Sequence, residues 1–315
     1  MESGILVEEQ RTLLEEVMTG LKSEKKFIPS KFFYDEKGSK LFDEICELDE
    51  YYPTRTELQI MKDNISEICA LLDNETLFIE FGSGSSLKTK LILENVQGLA
   101  GYIPIDISEE HLLSSAKELN EKYNWLDIYT LAADYTKHIE FPEVNKSVSK
   151  KVAYFPGSTV GNFTKEESIK FFEIVAEEIG ENGGMLIGVD LIKDKKILEA
   201  AYDDSKGVTA GFNLNILDHI NNRFNADFNR DRFAHLSFYN ELENRIEMHL
   251  ISKSSQEVRI NDSIISFKED ERILTEYSHK FSLESFADLA KSSFNVEKIW
   301  TDQNNYFAVQ YLSVI

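Results

Sequence analysis

The chain has 315 residues, more than one hydrophobic core usually serves, and its hydrophobic content of 42%, with 11% aromatic, is ample for folding. A formal net charge of -22 at pH 7 repels phosphate backbones and anionic headgroups, so nucleic acid and membrane surfaces are excluded first as partners. Cys46 and Cys69 lack C-x-x-C spacing and the six histidines lack metal-ligand spacing, so buried thiols in a reducing compartment and no metal are expected.

In chain order, Leu13, Leu14, Val17 and Leu21 mark an N-terminal helix over residues 7–22. The Met-Glu-Ser start lacks a basic-then-apolar signal region, and no apolar run is long enough to span a bilayer, so a cytoplasmic protein is expected. An aromatic, loop-like segment follows at 27–35, then a helix over 39–48. Pro53 favours an extended Tyr52, and Thr54 with Glu57 three residues on reads as a capping box for a helix running to Leu72.

At 77–81, Leu-Phe-Ile-Glu-Phe runs into Gly82-Ser83-Gly84, and a helix-compatible segment starts at Leu87: a buried strand, a glycine turn and a helix, as in nucleotide-binding α/β sheets. A phosphate-cradling loop requires glycine where Leu87 stands, although Lys88 and Thr89 fall in register. A dinucleotide fingerprint again requires glycine at Leu87. The looser pattern that survives continues to Asp106, ending a second strand, whose carboxylate can accept both hydroxyls of a ribose. A nucleoside ligand without a phosphate fingerprint, such as S-adenosylmethionine (SAM), fits it.

The alternation of strand and helix continues to about Asp190. A helix is expected over 109–122 and a strand over 127–133, ending at Asp134-Tyr135. A strand over 151–155 runs into Pro156-Gly157-Ser158-Thr159-Val160-Gly161-Asn162. Thr164 caps a helix to Ile179 with Glu167 in capping-box position, and a strand covers 185–189. Gly82, Gly84, Asp106, Asp134, Tyr135, Ser158 and Asn162 all fall at carboxyl ends of strands, where such sheets bind ligands. The pattern then changes to a helical stretch over 195–223 and period-two alternation over 234–278, an antiparallel sheet. A helix from Ser282 and a hairpin of 294–300 with 306–314 close the chain. The expected fold class is therefore α/β: a Rossmann-like methyltransferase sheet finished by an antiparallel hairpin, plus a discontinuous α+β substrate domain. Its boundaries are 1–57 with 192–280 for the substrate domain, and 58–191 with 281–315 for the SAM-binding domain.

Several long segments carry a resemblance. Phe32-Phe33-Tyr34-Asp35-Glu36-Lys37-Gly38-Ser39, Glu50-Tyr51-Tyr52-Pro53-Thr54-Arg55 and Phe81-Gly82-Ser83-Gly84-Ser85-Ser86-Leu87-Lys88-Thr89 come first. The Pro156–Asn162 run, Ala201-Tyr202-Asp203-Asp204, Gly207-Val208-Thr209-Ala210, Ile246-Glu247-Met248 and Thr275-Glu276-Tyr277-Ser278-His279-Lys280-Phe281 follow. In this order, over nearly the whole chain, they resemble the histidine-specific SAM-dependent methyltransferases that make trimethylhistidine (hercynine) on the way to ergothioneine. The resemblance implies that Gly82, Gly84, Lys88, Asp106, Asp134 and Tyr135 bind SAM, with Asp106 on the ribose and Asp134 on the adenine amino group. It implies that Tyr51, Asn162, Tyr202, Glu276 and Ser278 bind histidine, with Tyr34 and Met248 lining the pocket. Tyr34 and Asn162 are the residues expected nearest the chemistry.

The chemistry is consistent with those residue types. The Asn162 amide and Tyr202 hydroxyl can address a substrate carboxylate. Glu276 and Ser278, two apart on a strand, face one side roughly 6–7 Å apart, a separation suited to the two nitrogens of an imidazole. An α-amino group titrates near about pH 8, so no general base is assigned, and Tyr34 or Phe33 would stabilise a methylated cation. The expected enzyme is a monomer acting on L-histidine with SAM as methyl donor and no metal. Two alternatives stand beside it: another aromatic amino acid (tryptophan-like) as substrate, or a SAM-binding regulatory protein without turnover.

Overall fold

The computed structural model describes residues 2–83 and 87–315, with side chains from residue 10 onward apart from His111. Gly84 lies outside the described residues. The chain divides into two compact units, residues 1–51 with 194–278 and residues 52–193 with 279–315. The first boundary falls six residues before the expected one at residue 57, because Tyr52–Asp63 is one continuous helix belonging whole to the second unit.

The second unit is built on a seven-stranded sheet: β1 (Thr76–Phe81), β2 (Gly101–Asp106), β3 (Leu131–Ala132), β4 (Lys150–Phe155), β5 (Gly184–Asp190), β6 (Phe294–Thr301) and β7 (Phe307–Val314). Their order across the sheet is β6-β7-β5-β4-β1-β2-β3. The five strands from β5 to β3 are parallel, and β7 runs antiparallel to both β5 and β6. The order reverses between β1 and β4, which is where an open α/β sheet leaves a crevice beyond its strand ends. This is the Rossmann-like methyltransferase plan with its closing hairpin.

Both faces of the sheet are covered, which is why β1 reads as an uninterrupted buried run rather than an alternating one. Leu77, Ile79 and Phe81 join Phe171, Phe172 and Val175 of helix Lys165–Ile179 on one face. Phe78 joins Ile60, Met61 and Ile92 on the other. Helix 165–179 starts where expected, because Thr164 accepts from the Glu167 amide while the Glu167 carboxylate accepts from the Thr164 amide.

Two local expectations fail. The helix expected from Thr54 to Leu72 starts earlier, at Tyr52, and breaks at Asn64 into a second helix, Ile65–Cys69. Glu57 is therefore an interior helix residue, fully buried, rather than half of a capping box. The strand expected over 127–133 keeps only Leu131–Ala132 in the regular ladder. The rest follows β2 through separate bonds of Asp127, Tyr129 and Ala133, as an edge with half-exposed side chains tolerates.

At the other edge, β6 carries a register shift between Val296 and Lys298 and exposes Glu297 and Lys298.

The first unit holds a four-stranded sheet in the order Lys26–Phe27, Arg272–His279, Arg245–Ser252, Phe233–Asn240, and a separate hairpin of Gln256–Ile260 with Ser263–Phe267. The hairpin and the pair 233–240 with 245–252 are antiparallel, whereas Lys26–Phe27 runs parallel to Ile273–Leu274. The expected helical stretch 195–223 splits into Lys195–Tyr202 and Val208–Phe224. Asp204 lies in the break: its carboxylate accepts the amides of Lys206, Val208 and Thr209 at 2.7–3.0 Å, the last two in the first turn of the second helix, whose N-cap is Gly207.

Candidate active site

In the sheet unit the predicted cofactor residues stand at the ends of adjacent parallel strands. The turn after β1 is tied to β2 by the Gly82 and Ser83 amides, which both donate to the Ile105 carbonyl, at 2.8 and 3.2 Å. Gly82 has φ +73°, a conformation that favours glycine. A Cβ there would lie in ordinary contact with the Tyr135 ring, 3.7 Å from its hydroxyl, so the turn and Tyr135 stand side by side.

Asp106, at the end of β2, accepts from the Ser108 amide at 3.0 Å. Asp134 accepts from the Thr136 amide and hydroxyl at 3.1 and 2.5 Å. Both carboxylates are thus oriented by their own turns. Burial, and then the Asp106 and Asp134 charges, hold the Tyr135 phenol well above its usual pKa, so it stays a neutral donor. Two oriented acceptors and an aromatic ring beside a glycine turn match a ribose diol, an exocyclic amine and a base. The donor set therefore fits SAM.

Lys88, in the first turn of helix Leu87–Leu93, is held by Glu57. The Glu57 carboxylate, fully buried, also accepts from the Gly157 amide at 2.9 Å. The geometry depends on Gly188 of β5. A Cβ there would come within 2.3 Å of Glu57 Oε1, so only a hydrogen leaves the carboxylate its place. Glu57 thus joins three segments: a helix, the glycine-rich turn after β4 and the start of the helix after β1. A second buried carboxylate, Glu80 of β1, accepts from Thr89 Oγ1 at 2.7 Å and from the Tyr102 hydroxyl. Burial pushes its pKa up to about 7. Asn162 ends the short helical turn Thr159–Asn162 after β4, half-buried, and belongs to the sheet unit with the cofactor residues.

The first unit gathers the predicted substrate residues. The Tyr202 hydroxyl and Ser278 Oγ lie 2.7 Å apart in a buried hydrogen bond. The rings of Tyr51 and Tyr202 meet edge to face at 6.2 Å. Tyr34 packs against Phe42 at 5.8 Å, and Phe42 against Tyr51 at 6.2 Å. The wall therefore runs continuously from Tyr34 to Ser278. Burial pushes the Tyr51 phenol well above its ordinary pKa, and the Tyr202, Cys46, Glu276 and Tyr34 groups push the same way. Glu276 and Ser278 share the strand Arg272–His279, as their spacing requires. Met248 sits on the neighbouring strand, 2% exposed, where its carbonyl accepts from Thr275 Oγ1.

Sequence reasoning missed Glu57 and Glu80. Glu80 carried a signal, as a lone charge inside a fully apolar strand two residues before a glycine turn. Glu57 carried a misleading one, since Thr54-x-x-Glu57 matches a cap.

A family model described as histidine-specific methyltransferase, SAM-dependent, matches residues 13–314. The histidine N-alpha-methyltransferase of Mycolicibacterium smegmatis is 38% identical to this chain over 94% of it and 93% of that protein. The protein of the same name from Mycobacterium tuberculosis is 36% identical over the same shares. Ergothioneine biosynthesis protein 1 of Neurospora crassa is 26% identical over 77% of this chain and 30% of that protein. With the strand order, the glycine turn and this match over nearly its whole length, the chain belongs to the histidine-specific, SAM-dependent methyltransferases.

Proposed function

We propose that this methyltransferase transfers the methyl group of SAM to the α-amino nitrogen of L-histidine, and repeats the transfer to give N,N,N-trimethylhistidine. The reading rests on one observation above all: Tyr51, Tyr202 and Ser278 form a single polar cluster lined by aromatic rings, with Glu276 two residues before Ser278 on the same strand. Bound SAM supplies an electrophilic methyl on a sulfonium, ready for in-line displacement by a neutral amine.

The chain's own residues bind and orient. Asp106 and Asp134 hold the ribose and the adenine amine, and Lys88 contributes a cation beside the glycine turn. Glu276 accepts from one imidazole nitrogen, and Ser278, fixed by Tyr202, addresses the other. Asn162 offers its amide to the α-carboxylate. Tyr51 remains a protonated donor because of its burial. Alignment of nitrogen, carbon and sulfur is the main catalytic contribution of such a site. The rings of Tyr34 and Phe33 suit the growing positive charge on the methylated nitrogen.

The sheet unit takes SAM and the other unit supplies most of the histidine contacts. The reading also has the chain working as a cytoplasmic monomer without nucleic-acid, membrane or metal partners. Its charge of -22 supports the first two exclusions, and light scattering tests the monomer.

A methyl-transfer assay over the proteinogenic amino acids, with mass detection of products, tests the function. Histidine is expected to react in preference to all others and to gain three methyl groups. Preference for tryptophan, or SAM binding with no turnover on any amino acid, overturns the reading.

A further inference from the structure

The chain passes between its two units at Tyr51/Tyr52, Lys193/Asp194 and Ser278/His279. Beside each passage, within the sheet unit, a side chain ends on the same carboxylate. Tyr52, first after the first passage, donates its hydroxyl to Asp190 at 2.7–2.8 Å. Lys193, last before the second, reaches Asp190 Oδ1 at 2.5 Å and the Tyr52 hydroxyl at 2.6 Å. Lys280, second after the third, reaches Asp190 Oδ2 at 2.8 Å.

All three charged side chains are at most 3% exposed. Asp190 itself ends β5, its amide donating to Ser158 Oγ and its carbonyl accepting from the Phe281 amide. Burial disfavours the Asp190 charge, but Lys280 and Lys193 outweigh it and keep the carboxylate ionised.

Two buried ammonium groups around one carboxylate carry a desolvation cost that an apolar plug would avoid. What the cluster does achieve is to tie three chain segments to one carboxylate, and to one another. The segments are those from which the substrate wall extends: Tyr51 precedes Tyr52, and Ser278 and Glu276 precede Lys280 by two and four residues.

We propose that Asp190 is a positioning residue for methyl transfer, fixing through Tyr52, Lys193 and Lys280 the chain segments that carry Tyr51, Glu276 and Ser278. The inference rests on the reading that those three residues bind histidine, and its test separates the two.

Tyr52→Phe, Asp190→Asn and Glu276→Ala are compared with the unaltered enzyme by steady-state kinetics and by calorimetric SAM binding. Tyr52→Phe removes the hydroxyl that donates to Asp190 and accepts from Lys193, and leaves the ion pairs in place. It is expected to raise the KM for histidine about five- to tenfold and to lower kcat, with SAM affinity within about twofold. Asp190→Asn is expected to act in the same direction and more strongly. If that variant does not fold, Lys280→Arg, which keeps the charge, is expected to retain a histidine KM closer to that of the unaltered enzyme than Lys280→Met does.

A lowered melting temperature with histidine KM unchanged in Tyr52→Phe and in the Lys280 pair would reduce the cluster to a structural role and overturn the inference. Glu276→Ala without effect on histidine KM would overturn the underlying reading instead. A raised KM in Glu276→Ala with none in Tyr52→Phe overturns the Asp190 role alone.

Discussion

The two units of this enzyme place polar groups in opposite ways. In the sheet unit the decisive groups are buried carboxyl groups that brace the backbone around the glycine turn: Glu57 under Lys88 and Gly157, and Glu80 under Thr89 and Tyr102. In the other unit they are hydroxyls and one half-buried carboxylate on an aromatic wall, where Tyr202 is bonded to Ser278 and packs against Tyr51. The first arrangement is paired within itself, while the second offers groups suited to an incoming polar molecule. Substitutions in the sheet unit should therefore register mainly as stability, and in the wall mainly as affinity.

The largest effect is expected from Glu57→Ala. Leaving Lys88, only 14% exposed, without its partner should cost about 3–5 kcal/mol, read from denaturant unfolding. A loss below about 1 kcal/mol would place this pair with ordinary surface pairs and break the comparison.

Glu80→Gln sharpens it through pH. The folded state keeps the Glu80 proton up to about pH 7, whereas the unfolded chain releases it near 4.5, the ordinary value for a glutamate. Between those values the folded state binds more protons, so this residue's contribution to stability falls as pH rises through the window. The variant should lose that slope, roughly 3 kcal/mol across the window, in paired melting curves from acid to neutral pH.

Glu276→Ala addresses the wall. Histidine affinity should drop about 10- to 100-fold, the worth of a hydrogen bond to a charged group, with SAM affinity and melting temperature little changed in calorimetry. An equal loss of SAM affinity would mean that the two sets of residues are not separable. Tyr202→Phe, which removes the hydroxyl bonded to Ser278, should cost about 1 kcal/mol in histidine binding, visible as a several-fold higher KM.

The same contrast explains what the sequence revealed. The sheet unit was largely legible because strand, turn and helix are set by neighbours in the chain. Gly82, Asp106, Asp134 and Tyr135 announce themselves by standing at strand ends. The fold class followed from the alternation and the closing hairpin.

The wall was legible only through its resemblance to a family. Its Tyr202–Ser278 bond joins residues 76 apart, and no local spacing encodes that meeting. Glu57 fell between the two cases, because its partners Lys88 and Gly157 lie 31 and 100 residues away while a nearby Thr54 mimics a cap. The failed strand at 127–133 has the same origin: propensity favours strand there, but an edge position left most of it outside the ladder.

The edges of the sheet have a consequence for handling this protein at high concentration. Seven strands in an open sheet leave two rows of backbone groups that a second copy could pair with. Here one row is cut to the two residues of β3, and the other is interrupted at Val296–Lys298, where Glu297 and Lys298 project. A short edge and a charged, irregular one both deny a neighbouring molecule the flat template that edge-to-edge association needs. Smoothing the second by replacing Glu297 and Lys298 with β-branched apolar residues would be expected to leave methyl transfer intact while converting a self-limiting sheet into a sticky one.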